Sequence, residues 1–330
     1  MESVTTSLTE ITVVGEDSSG IVASVTSQLF ERQVNIEDID QAVRDGMFRM
    51  TLRADTSEMV CTEATLKRAF DSLADELGVD IQVRFPTDRQ TGRIAAMVTK
   101  ESHCLESILR ARVDGHIDAK ISIILGNHSK LEPLAERYGI PFVDIGNENG
   151  VPDEDEILDV LDAYEIDLIV LARYMRILSP KVVFRYEDRI INVHPSLLPS
   201  FPGAKAYRQA REEGVRIAGV TAHYVTTDLD QGPVIAQRAF NIPDDASVEA
   251  IRARGQPLEA EALLEAIQLH LDQAVTVHRG RTSLREQATT ADYQLGFANE
   301  HNSALPREPT DNLSKALENA PQTVPDYDVE

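Results

Sequence analysis

Two hydrophobic periods alternate along the chain. Residues 9–16 (TEITVVGE) read as a strand that runs into a polar loop, Asp17-Ser18-Ser19-Gly20. Ile21, Val22, Val25, Leu29 and Phe30 then recur at helical spacing. Two strand-like stretches follow, NIEDIDQAV and MFRMTLRAD, joined at Arg44-Asp45-Gly46. An Asp-Gly pair between strands is a strong hairpin signal, because both residues tolerate the left-handed backbone of a tight turn. A second helix is predicted over about 59–77, stopped by Gly78, and the strand IQVRF at 81–85 completes the order βαββαβ. That order defines a ferredoxin-like module over residues 1–86.

The polar, turn-rich stretch 87–92 reads as a linker. Beyond it, near-continuous apolar runs (RIAAMVT, KISIIL, PFVDIG, DLIVLAR, RIINVH) alternate with amphipathic stretches such as CLESILRAR, KLEPLAERYG and DEDEILDVLDAYE. Apolar strands separated by helices predict a doubly wound, mainly parallel sheet covered on both faces, a Rossmann-like second domain over 93–285. No GxGxxG follows its first strand and no GxxxxGK[ST] occurs, so neither a dinucleotide fingerprint nor a P-loop is present. A last helix is expected over about 258–278 from Leu263, Leu264, Ile267, Leu271 and Val275. Residues 286–330 carry Pro306, Pro309, Pro321 and Pro325, many acids and few apolar clusters, and are expected to be mostly disordered. Tyr293, Leu295 and Phe297 in that tail form a candidate docking patch, with a solvated tail the plainer reading.

Charge narrows the partners. With 32 Lys+Arg against 55 Asp+Glu the chain carries −23, and the excess is spread over both predicted domains and the tail. A surface this acidic repels nucleic acid and anionic membranes. It suits concentrated salt, where about 1 M reduces the Debye length to roughly 3 Å, so a halophilic cytosol is expected. No run approaches the ~20 apolar residues of a membrane span, and the N-terminus lacks the pattern of a signal peptide. Cys61 and Cys104 are far apart and form no CxxC, so neither a disulfide framework nor a structural zinc site is expected, and the expected location is cytoplasmic.

The chemistry concentrates in RIINVHPSLLPSFP at 189–202. Alternate residues of a strand share a face, so Asn192 and His194 point the same way, and Pro195 keeps His194 extended. Ligands of open α/β sheets bind beyond the carboxyl ends of the strands, so an amide donor and a titratable imidazole converge where a substrate would sit. Further on, GVTAHYVTTDLDQGPVIAQ reads as strand, turn and strand, with Asp230 ahead of Gln231-Gly232-Pro233. By themselves, Asp230 reads as a turn cap and His223 as a core histidine.

The front module resembles the ACT family through EDSSGIVASV and VNIEDID, departing at Gln33 where many such domains have glycine. The resemblance implies edge-to-edge assembly into a homo-oligomer and a possible amino-acid effector near Asp17, Gly20, Asn35 and Ile36. The second domain resembles the folate-dependent formyltransferases through LARYMRILS, INVHPSLLPSFPGAKAY and GVTAHYV…LDQGPVIAQ. VTKESHCLESIL and LGNHSKLEPLAERYGIPF, together with the ACT-like module, point to the deformylase branch of that family. What this implies is hydrolysis of 10-formyltetrahydrofolate to tetrahydrofolate and formate within one-carbon and purine metabolism. No metal or other cofactor is implied. The catalytic set would be Asn192, His194 and Asp230. The folate would meet Arg173, Tyr174, Met175, Arg176, Ile177 and Leu178, with Thr221 and His223 beside the reacting centre. Glycinamide ribonucleotide formyltransferases are the rival. Their first strand ends in a glycine-rich phosphate cradle, whereas here Thr99–Leu105 (TKESHCL) holds no glycine; Pro195, where deformylases often show a second histidine, leans the other way. A silent folate or amino-acid sensor is the remaining alternative.

Overall fold

The computed structural model describes residues 8–86 and 92–284. The elements run β1 (Thr9–Glu16), α1 (Ile21–Phe30), β2 (Asn35–Arg44), β3 (Met47–Asp55), α2 (Glu63–Leu77), β4 (Val79–Arg84), β5 (Arg93–Val98), α3 (His103–Val113), β6 (Lys120–Gly126), α4 (Glu132–Arg137), β7 (Phe142–Asp144), α5 (Glu154–Ala163) and β8 (Leu168–Leu171). They continue as α6 (Pro180–Arg185), β9 (Ile190–His194), α7 (Ala206–Glu212), β10 (Ile217–Tyr224), β11 (Val234–Asn241), α8 (Val248–Leu271), β12 (Val275–His278) and β13 (Arg281–Leu284). Packing divides the described residues into 8–86 with Leu178–Glu187, and 92–177 with 188–284. The short segment containing α6, read from sequence as part of the second domain, therefore groups with the first. Linker residues 87–91 and the acidic tail lie outside the described residues.

The first unit has the predicted βαββαβ order in an antiparallel sheet, β2-β3-β1-β4. Arg44 pairs with Met47 across a two-residue turn in which Asp45 (φ 50°) and Gly46 (φ 79°) are both left-handed. This is the primed turn whose twist matches the flanking strands. Ile11, Val13, Phe48, Met50 and Leu52 meet Ile21, Val25, Leu29, Leu66 and Phe70 in a buried core. Helix α2 starts later than its hydrophobic spacing predicts because the Thr62 side chain caps it, accepting from the Thr65 N–H at 3.2 Å.

The second unit is a seven-stranded sheet, β11-β10-β9-β8-β5-β6-β7. Strands β9 to β7 are parallel, while β10 and β11 run antiparallel at one edge. The chain builds outward from β5 through β6 to β7, then returns to lay β8 and β9 on β5's other side. The order thus reverses between β5 and β8, which makes their carboxyl ends the topological switch point. Helix α8 differs from expectation at both ends. It begins at Val248, where the Ser247 hydroxyl accepts from Ala250 N–H at 3.1 Å, and it passes through Pro257. An interior proline costs about 3 kcal/mol. Burying Leu263, Leu264, Ile267 and Leu269 at 0–2 % exposure offsets that cost. The helix stops at Leu271, and Val275, read as its last apolar position, opens β12.

Candidate active site

Strands β9 and β10 assemble the first cluster. Their antiparallel register sets Thr221 opposite His194 and His223 opposite Asn192. On its other side β10 meets β11 through an irregularity: Ala222 pairs with Ala236, then His223 with Val234. Such bulges re-aim side chains next to functional sites. The turn after β10 delivers the carboxylate. Asp230 has a left-handed backbone (φ 54°), and at Gly232 a Cβ would lie 1.7 Å from the Tyr224 carbonyl oxygen, so that close approach requires glycine.

The result is a compact set. His194 Nδ1 stands 3.3 Å from Asp230 Oδ2, with both side chains 6–7 % exposed. Asp230 Oδ2 also accepts from the Gly203 N–H at 2.7 Å. His194 Nε2 is 2.9 Å from the Phe201 carbonyl oxygen. Both ring nitrogens thus face acceptors. Asn192 Nδ2 lies 3.3 Å from His223 Nε2, and that same nitrogen is 3.9 Å from Asp230 Oδ1. Thr221, fully buried, anchors the loop after β9: its hydroxyl donates to the Ser196 carbonyl at 2.8 Å and accepts from the Leu198 N–H and Gln237 Nε2. An amide donor, an imidazole and a carboxylate so arranged can stabilise an oxyanion and move a proton.

A second cluster lies at the switch point, and sequence reading missed most of it. Glu259 on α8, 1 % exposed, accepts from Tyr207 Oη at 2.7 Å. Its other oxygen is 3.0 Å from His103 Nε2 and 3.4 Å from Arg173 Nε. Arg173 Nε also donates to Glu101 at 3.1 Å. Burial alone would raise the Glu259 pKa, but the His103 bond and the Arg173 charge outweigh it and hold the carboxyl below its ordinary value. Burial likewise opposes the Arg173 charge, and Glu259 and Glu101 restore it. Burial and then Glu259 push the Tyr207 hydroxyl and the Cys104 thiol strongly up, keeping both protonated. His103, Cys104 and Glu259 offer ligand atoms within 4.8 Å of one another. The Arg173 guanidinium on the same carboxylate disfavours a dication there. A signal did exist in sequence, since Glu259 is in phase with Leu263 and Ile267 at steps of four on the apolar stripe of α8.

The remaining candidate residues are distributed as follows. Arg173, in a left-handed conformation (φ 65°), belongs to the Glu259 cluster. Met175 donates its N–H to Thr99 Oγ1 at 2.9 Å, tying the loop after β8 to the loop after β5. The Met175 and Ile177 side chains are 56 % and 72 % exposed. Arg176 Nη2 donates to the Asn149 carbonyl at 2.9 Å. Tyr174 is buried, with its hydroxyl lacking a partner among the described residues, and burial followed by Glu154 raises its pKa. Leu178 is buried and falls with the first unit. In that unit Asn35 and Ile36 line a shallow concavity with Thr26, Ser27, Phe30 and Val34; Asp17 and Gly20 are not among its walls.

Known proteins match along the same division. Residues 92–267 match the formyl transferase family and residues 10–84 the ACT domain family. The formyltetrahydrofolate deformylase of Bacillus subtilis is 35% identical over 271 residues, covering 81% of this chain and 90% of that one. A crystal structure of a formyltetrahydrofolate deformylase from Pseudomonas syringae pv. tomato superposes with a TM-score of 0.58 at 30% identity, over 84% of this chain and 94% of that one. A glycinamide ribonucleotide transformylase from Symbiobacterium toebii gives 0.57 at 31% identity but covers 59% of this chain and 95% of its own. With both domains matched in order, the chain belongs to the formyl transferase family, in its ACT-bearing formyltetrahydrofolate deformylase branch.

Proposed function

We propose that this chain hydrolyses 10-formyltetrahydrofolate to tetrahydrofolate and formate, with Asn192, His194 and Asp230 as its catalytic residues, water as the second reactant and no further cofactor. The observation that carries the reading is the 3.3 Å His194–Asp230 pair at the carboxyl end of β9, with Asn192 on the same strand. In this mechanism His194 keeps Nδ1–H on Asp230 and releases Nε2 from the Phe201 carbonyl, and that nitrogen takes the water proton as the water oxygen bonds to the formyl carbon. General acid–base work of this kind contributes about 10²–10⁴-fold. Asp230 stabilises the imidazolium that forms. Asn192 donates to the oxyanion developing on the formyl oxygen, a contact worth about 3 kcal/mol. Collapse breaks the bond from the formyl carbon to N10, N10 receives the proton, and formate leaves. The loop after β8 is assigned to the folate through Tyr174, Met175 and Arg176.

The Glu259 cluster favours water over a bulkier acceptor. The switch point of an open α/β sheet is a place where ligands bind. Here it is occupied by the chain's own Arg173, His103, Glu101 and Tyr207 converging around Glu259. The transferase reading retains the HPSLLPSFPG stretch on its side. Around the reaction we further propose a cytoplasmic, salt-adapted homo-oligomer assembled through the exposed edge strand β2. The effector would be an amino acid bound by the ACT domain.

Formate release from 10-formyltetrahydrofolate in high salt, with and without glycinamide ribonucleotide, tests the reading. Release independent of the ribonucleotide is expected. Formyl transfer that requires it sinks the hydrolase, and folate binding without turnover identifies a sensor.

A further inference from the structure

His223 lies directly across from Asn192 in the β9–β10 ladder and is 2 % exposed. Its Nδ1 is 2.8 Å from the Tyr224 carbonyl oxygen. A carbonyl only accepts, so Nδ1 carries the ring hydrogen. Burial draws the His223 pKa below the ordinary 6.5; the Tyr224 bond and Asp230 oppose that shift, and His194 adds to it. The ring is therefore neutral at pH 7, in one tautomer, with its lone pair on Nε2. Asn192 Nδ2 stands 3.3 Å from that lone pair.

An asparagine amide has two orientations related by a half-turn, one presenting N–H and the other the carbonyl oxygen. Only the first helps an oxyanion; the second repels it. We propose that His223 is a positioning residue that selects the productive face of Asn192. The Nε2 lone pair holds one amide N–H and excludes the amide oxygen from that place. The second N–H of the same nitrogen is left for the formyl oxygen. Protonation of His223 would put a hydrogen on Nε2 and turn this acceptor into a donor, driving the Asn192 N–H away. The titratable groups facing His223 are Asp230, from the turn after β10, and His194, from β9. Turnover should therefore weaken as pH falls below 6.5, the ordinary value from which His223 is lowered.

The proposal rests on Asn192 acting as the oxyanion donor, and the test keeps the two apart. In the full-length protein, His223→Phe should lower kcat about 30-fold with KM within about 3-fold, the scale of one misoriented donor. His223→Gln, whose amide oxygen can accept the same N–H, should recover kcat to within about 5-fold of the parent and shift the acid limb of its pH profile. On an Asn192→Ala background, His223→Phe should cost less than about 2-fold, because a residue acting through another has nothing left to act on. Nitrogen-15 spectra of the histidine-labelled parent should show His223 protonated at Nδ1 and bare at Nε2 at pH 7. That measurement stands even if His223→Phe does not fold. Equal losses in both backgrounds, identical Gln and Phe variants, or a protonated Nε2 at pH 7 would each overturn the proposal. Full turnover in Asn192→Ala alone would instead overturn the oxyanion assignment and leave the tautomer result standing.

Discussion

Two clusters of ionisable groups stand at the carboxyl edge of the same sheet, and they are built on opposite terms. Around β9 and β10 the charges are few: two imidazoles share one carboxylate, and neutral amide and carbonyl groups complete the set. Among the described residues Asp230 meets imidazoles and the Gly203 N–H, and no guanidinium or ammonium group. Around Glu259 a guanidinium, an imidazole and a phenol surround a buried carboxylate, fixing it in its charged form. Taking such ions out of water costs several kcal/mol each, recovered only when every partner is in place. The first cluster is arranged for proton traffic and the second for permanence, which suits one to chemistry and the other to filling the switch point.

Four measurements break or sharpen that contrast. His194→Ala should lower kcat for formate release about 10³-fold, about 4 kcal/mol, while thermal unfolding moves by only a few degrees. Activity surviving in that variant removes the chemical role from the first cluster. Glu259→Gln should do the reverse. It leaves Arg173 buried beside a neutral amide and costs about 3 kcal/mol of stability, read as a lowered Tm, with kcat of the folded enzyme within a few-fold. Thr221→Val removes the hydroxyl that ties Ser196, Leu198 and Gln237 together and should cost about 1–2 kcal/mol, with KM and kcat both affected as the loop after β9 loosens. The smallest effect is in acid. Because Glu259 sits below its ordinary 4.5 in the folded protein, its stabilisation is complete above pH 4.5 and is lost as pH falls through the folded value. Tm should therefore fall more steeply below pH 4.5 in the parent than in Glu259→Gln.

The comparison also shows what sequence reading could reach. The Asp45-Gly46 turn, the βαββαβ order and the alternation of apolar strands with helices are local patterns, and each reappears in the fold. Asn192 and His194 were readable because both lie on one short strand, where alternation alone puts them on a common face. Asp230 became a candidate only through resemblance, since nothing local distinguishes a catalytic aspartate from a turn cap. Glu259 was legible only as an oddity on an apolar stripe. Its partners His103, Arg173 and Tyr207 come from three other loops and helices, far off in the chain. Helix α8 begins at Val248 and not near 258, as the apolar spacing predicts, because apolar burial along the helix exceeds the cost of the hydrogen bond missing at Pro257.

By itself, then, the sequence determined the two modules and their order, the parallel strand series, the acidic solvent-facing character and the strand that carries an amide and an imidazole. These depend on spacing within a few residues or on composition. Tertiary structure alone decided that Arg173 turns into a buried ion cluster, that His223 faces Asn192 across a ladder, and that Gly203 and Phe201 complete the His194–Asp230 pair. Those contacts depend on strand register, on the left-handed turn at Asp230 and on the reversal of order between β5 and β8, which exist only once distant segments have packed.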